Sequence, residues 1–112
     1  MIYFTRVKQA MRRTLHRKKW LNKDTDALFR AILLLRTQDE ARRFFRDLLS
    51  ENEIIEFAAR WRVAQMLDRK VLYQKIARET GLSSRTIARI QKWLERGKGG
   101  YKLVLKRQKH KS

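Results

Sequence analysis

The chain has 112 residues, with 29 Lys and Arg against 11 Asp and Glu and a formal charge of +18. That much positive charge on so short a chain repels itself unless polyanions answer it, so acidic macromolecules are the expected partners and small neutral ligands are not. With no Cys and only two distant histidines, His16 and His110, disulfides, thiolate chemistry and zinc-type clusters are excluded.

The charge is uneven along the chain. Residues 1–23 hold eight bases and no acid, residues 24–59 five bases and eight acids, and residues 60–112 sixteen bases and three acids. The middle is therefore expected to fold or assemble while the C-terminal half meets the polyanion. Phe4, Val7, Met11 and Leu15 fall at helical spacing within the first 23 residues. This segment reads as a basic arm that neutralises phosphates; a dimer-packing helix, a membrane-surface helix or a transit peptide are the alternatives. The longest apolar run, residues 31–35, is far short of the ~18 residues a membrane span needs. At 43% hydrophobic the chain can still build a core. Cytoplasmic location is expected.

Proline is absent and glycine stands only at 81, 97, 99 and 100, so the chain reads as all-α. Asp24 and Asp26 open a first helix with Leu28, Ile32 and Leu35 on one stripe. Thr37 and Glu40 form a capping-box pair for a second, whose Ala41, Phe44, Phe45, Leu48 and Leu49 repeat at 0, 3, 4, 7 and 8. Ser50 and Glu53 repeat the box and start a longer helix to about Asp68. Its Ile54, Phe57, Ala58, Trp61, Ala64 and Leu67 make an apolar face, broadened by Ile55, Val63 and Met66. A helix apolar on several sides wants more cover than one small domain supplies, which points to a homodimer. Residues 69–72 offer neither a glycine to end that helix nor a Ser or Thr to cap the next, so it is free to run past Asp68.

Residues 73–92 fit a helix-turn-helix. Ala77 is the small residue where two helices cross, and Gly81 sits where the turn needs a positive φ. Ile76 and Leu82 close the corner, Ile87 and Ile90 anchor the second helix, and Ser83 caps it. Ser84, Arg85, Ala88 and Arg89 then face outward as the base-reading set, Arg85 foremost because Arg on guanine is the commonest specific contact. Gln74, Lys75, Arg78, Ser83 and Lys92 are assigned to phosphates, and Ser84 fits either role. The competing reading is a compact helical corner with a merely wet basic face. Gly97, Gly99 and Gly100 end the second helix through a left-handed cap. Residues 101–105 alternate weakly, and residues 106–112 read as a disordered basic tail. The divisions are thus an arm at 1–23, a dimerisation core at 24–68, a DNA-binding unit at 69–100 and a tail at 101–112.

Leu49-Ser50-Glu51-Asn52-Glu53, Arg60-Trp61-Arg62-Val63-Ala64, Glu79-Thr80-Gly81 and Thr86-Ile87-Ala88-Arg89 resemble the Trp-repressor-like family, within it the smaller YerC/YecD-type regulators. The resemblance covers about residues 24–96. It implies an all-helical interlocked dimer whose two helix-turn-helix units read a palindromic operator in double-stranded DNA. It also implies a possible tryptophan site between the dimer core and the recognition helix, built from two arginines and groups of the partner chain. The matching positions are Arg60 and Arg89, with Ser50 at the polar cap position. Ile90, however, stands where tryptophan repressors have glycine beside the indole, and a branched side chain should fill the slot. Ion pairing or phosphate contact is therefore the preferred role of the two arginines, and no cofactor is expected.

Trp20, Trp61 and Trp93 are scattered and read as core or interface residues, not as a base-stacking platform. Glu51, Glu53 and Glu56 suit the positive pole of a helix start and need no catalytic role. No nucleophile–base pair, phosphate loop or metal spacing is present, so the chain reads as a non-enzyme regulator, most simply a repressor. A basic RNA- or ribosome-associated protein, a nucleoid component, and a corner docking an acidic protein are the alternatives.

Overall fold

The computed structural model describes residues 19–111. The basic-arm reading lies, up to residue 18, outside the described residues. These hold six helices and no strand: α1 Lys23–Ile32, α2 Gln38–Leu48, α3 Glu51–Asp68, α4 Tyr73–Thr80, α5 Ser84–Arg96 and α6 Gly100–His110. Two compact units divide between Asp47 and Leu48.

The first unit carries α1 and nearly all of α2. Asn22 caps α1: its side chain accepts from Thr25 N–H at 2.9 Å, and its own N–H donates to Thr25 Oγ1 at 2.9 Å. Asp24 and Asp26 follow in the first turn, as expected, but Leu35 lies beyond the last residue of the helix. The expected box on α2 is half made. Thr37 Oγ1 accepts from Glu40 N–H at 3.1 Å, while the Glu40 carboxylate accepts from Arg36 N–H at 2.9 Å. Neither helix has a buried residue, and Leu33 and Leu34 are 82% and 76% exposed.

The second unit packs α3 to α6 around one core: Val63, Ala64, Met66, Leu67, Ile76, Ile87, Ile90, Leu94 and Leu105. Ser50 opens α3 with a complete box, its hydroxyl accepting from Glu53 N–H at 3.2 Å and its N–H donating to the Glu53 carboxylate at 2.9 Å. The Ser50 N–H holds the Glu53 carboxyl below its ordinary pKa, and the hydroxyl contact adds to this. Only the C-terminal half of α3 is buried; Ile55 and Phe57 in the first half are exposed. The expected continuous apolar face is thus covered along half its length in the single chain.

The helix does stop at Asp68, and it does so without glycine. Lys70 takes φ 64°, Val71 N–H donates to Met66 C=O at 3.0 Å, and Lys70 N–H donates to Leu67 C=O at 3.0 Å. This is the paired bonding of a Schellman end, with Val71 folding back onto the core as its apolar contact. The left-handed backbone costs a residue with a Cβ about 1–2 kcal/mol.

Two expectations about the C-terminal region fail. Gly97 is extended, with ψ −154°, and is required for a different reason: a Cβ there would run into the Trp93 carbonyl oxygen. The left-handed glycine is Gly99, at φ 83°. Beyond it the supposed tail is helix α6, with Leu105 5% exposed in the core and Tyr101 stacked on Trp61, centroids 6.2 Å apart and planes 18° apart. None of the three tryptophans is buried; Trp20 and Trp93 are about half exposed.

Lys70→Gly should raise the denaturant midpoint by relieving the left-handed strain, a gain partly offset by the extra entropy of the unfolded glycine. Ile76→Ala should cost about 2–5 kcal/mol in the same experiment, since it empties a fully buried site. The Glu53 box stabilises α3 above the ordinary carboxylate range and is lost as pH falls through the lowered folded-state value, so acid unfolding of Glu53→Gln should be less steep than that of wild type.

Candidate nucleic-acid interface

The corner between α4 and α5 is built by local rules. Gly81 takes φ 73° and its N–H closes α4 on Ala77 C=O at 2.8 Å. Thr80 Oγ1 donates to Ile76 C=O at 2.7 Å and accepts from Leu82 N–H at 3.3 Å, tightening the turn. Ser83 caps α5 by accepting from Thr86 N–H at 3.2 Å. Ile76 and Ile87 are wholly buried and Ile90 nearly so, while Ala77 and Leu82 are half-buried against the same core. Arg62 of α3 reaches Glu79 of α4 at 3.5 Å. Both groups are substantially exposed, so this bridge orients more than it stabilises.

With that inward set fixed, helical periodicity turns Ser84, Arg85, Ala88 and Arg89 outward, and all four are exposed. Gln74, Lys75 and Arg78 are exposed on α4, and Ser83 is exposed at the turn. Lys92 is exposed too, with its ammonium 5.6 Å from the centre of the Trp93 ring. The unit therefore presents two guanidinium groups one helical turn apart on α5, flanked by the cations and amides of α4. This pattern suits a helix entering the major groove with phosphate contacts beside it. Among the described residues no three His, Asp or Glu side chains gather as a metal site.

Arg60 and Arg89 do come together. They line a cavity of about 510 Å³ between α3 and α5, with Glu56, Thr86, Ile90 and Trp93 among its other walls. Ser50 is not among the lining residues; its hydroxyl is engaged in capping α3. Ile90 is buried as expected, yet it does not close the slot. Arg60 also lies over the Phe57 ring, 5.7 Å from its centre. Sequence reasoning missed Trp93 and Tyr101 as cavity walls. Tyr101 gave no signal because its segment was not expected to be helical, and Trp93 because it was assigned to a core or interface.

The family described as Trp repressor protein matches residues 23–109. YerC of Bacillus subtilis is 43% identical over 91 residues, which span 81% of this chain and 88% of that protein. The crystal structure of a TrpR-like protein from Eubacterium eligens superposes with a TM-score of 0.77 at 39% identity, covering 82% of this chain and 95% of the other. A putative Trp repressor from Staphylococcus aureus gives 0.77 at 36% identity, covering 82% and 92%.

Ser83→Ala should cost about 1 kcal/mol and fray the first turn of α5, read by hydrogen exchange at the amide of Thr86. An unchanged exchange rate at that amide would remove the cap from this account.

Proposed function

The chain belongs to the Trp repressor family, whose fold is that of helix-turn-helix DNA-binding regulators, and from that premise we propose that it is a dimeric repressor reading a palindromic operator. The observation that carries this is the corner itself: a left-handed Gly81, a Ser83 cap and a buried Ile87 set Arg85 and Arg89 outward on the opening turns of α5. Arg85 is assigned to a base, together with Ser84, Ala88 and Arg89; Gln74, Lys75, Arg78, Ser83 and Lys92 are assigned to phosphates. The uncovered apolar residues Phe29, Leu33, Leu34, Ile55 and Phe57 support a second copy of the chain as the partner. A two-fold dimer would place its recognition helices about 34 Å apart, one turn of duplex. A cytoplasmic location fits a DNA-bound regulator.

We further hold that it works without tryptophan or another cofactor. Ile90 and the chain's own Trp93 both wall the cavity between α3 and α5, and Glu56 brings a carboxylate that would repel that of an amino acid. On this reading Arg60 serves ion pairing or phosphate contact, Arg89 serves the DNA face of α5, and Ser50 serves as a cap. Tryptophan added in a thermal melt should leave the midpoint unmoved. A concentration-dependent rise would restore the ligand role.

Arg85→Ala should cost about 1–3 kcal/mol against a duplex selected from a random pool and relax preference at one base position. Lys92→Ala should weaken all duplexes alike and flatten the salt slope by about 1. Structured RNA competing better than selected duplex at moderate salt would instead favour an RNA-associated protein. Sedimentation should return a dimer; a monomer at micromolar concentration would refute the assembly.

A further inference from the structure

We propose that α6 is a second DNA-contacting element, whose outward face of Lys106, Arg107, His110 and Lys111 docks on the phosphate backbone flanking the bases met by α5. The inference rests on the DNA-binding reading above and adds a surface to it.

Three contacts fasten α6 to its unit along one side. Tyr101 stacks on Trp61 at the first turn, Leu105 enters the core at the second, and Lys109 Nζ lies 2.8 Å from Asp68 Oδ2 at the third. The spacing of 101, 105 and 109 makes this a single inward stripe. The opposite face follows from the same period. Leu103, Lys106, Arg107, His110 and Lys111, at 0, 3, 4, 7 and 8, line one shallow groove and are all exposed.

The sequence from Arg96 to Ser112 holds seven Lys and Arg and no acid. Nothing on α6 itself can neutralise the outward cations. Asp68, the acid that meets α6, is engaged by Lys109 on the inward stripe. A fixed helix with three permanent positive charges on one face is matched by a regular array of negative charge, and duplex DNA carries one phosphate per ~3.4 Å of each strand.

Position selects the flanking backbone. The Lys109–Asp68 pair sets the last turn of α6 against the end of α3. Arg69 and Lys70 follow at once, and Lys70 shares a surface cavity with Gln74 of α4 and Gln91 of α5. The C-terminal end of α6, with its cations, therefore lies beside the Arg69-Lys70 turn that leads into α4, the helix that crosses the backbone in this motif.

The test compares wild type with Lys106→Gln/Arg107→Gln/Lys111→Gln on two duplexes selected by the wild-type protein from a random pool. One is trimmed to the selected bases and one carries ten further base pairs on each side. On the long duplex the triple variant should lose about 2–3 from the salt slope per chain, since each phosphate contact contributes ~0.9. Base preference should be unchanged, and the two proteins should bind the trimmed duplex alike. The three residues are exposed, and matching thermal midpoints would confirm that the variant folds. An unchanged slope on the long duplex overturns the inference alone. So does an equal loss on both duplexes, because the contact would then not be flanking. If wild type selects no duplex, the DNA-binding reading fails and takes this inference with it.

Discussion

The direction in which Arg85 and Arg89 point depends on side chains that never meet solvent. Val63, Ala64, Ile76 and Ile87 are fully buried, one pair on α3 and one residue each from α4 and α5. Their packing fixes the rotation of α5 about its own axis. Once Ile87, Ile90 and Leu94 are turned inward at 0, 3 and 7, a helix has no freedom left in what it turns outward. The candidate base-reading set is the complement of the core set, so the two are specified together. A cavity at Ile76 or Ile87 would loosen the aim of Arg85 without touching it, since interiors are close-packed and transmit small shifts.

The division of charge follows the same logic at larger scale. The acid-containing middle supplies the capping carboxylates, Glu40 and Glu53, and the two most exposed large apolar residues described, Leu33 and Leu34. Like charges held at an interface oppose association, and the stretch with more acids than bases is the one stretch where the chain's positive charge does not accumulate. In the dimer proposed above, assembly through this stretch with the cations behind residue 60 would keep self-repulsion on the face where a polyanion relieves it. The bases that cannot reach a base edge still matter, because they set affinity and its dependence on salt.

Much of this was legible in the sequence because the rules involved are local. The Ser50–Glu53 box, the Ser83 cap, Gly81 and the stripe Ile76, Ile87, Ile90 each depend on residues within one turn or one corner. The failures have physical causes. Lys70 holds a conformation that propensity reserves for glycine, because Val71 has a core to pack against and two chain-end hydrogen bonds to gain. Gly97 is demanded by a carbonyl four residues earlier, a steric fact invisible to composition. Helix α6 buries a single residue, Leu105, and a single burial has no period to detect. Its other apolar anchor is the stack of Tyr101 on Trp61, forty residues away in sequence. The resemblance named Arg60 and Arg89 as matching positions, but Ile90 was expected to fill the slot between them; it lies in the core at 4% exposure and walls a cavity that stays open.

What holds α6 is separable from what α6 offers. Burying Leu105 contributes about 1.5–3 kcal/mol and a stacked aromatic pair about 0.5–1.5 kcal/mol, whereas an ion pair as accessible as Lys109–Asp68 contributes about 0–1 kcal/mol at most. The first two turns therefore carry the attachment by apolar contacts that salt does not screen. The last turn carries cations whose interactions salt screens within about 8 Å at physiological ionic strength. Raising salt should weaken any anion's hold on the outward face while leaving the helix in place. Fold and polyanion affinity thus respond to different variables, and a chain with this much charge can stay folded at an ionic strength that would release a bound polyanion.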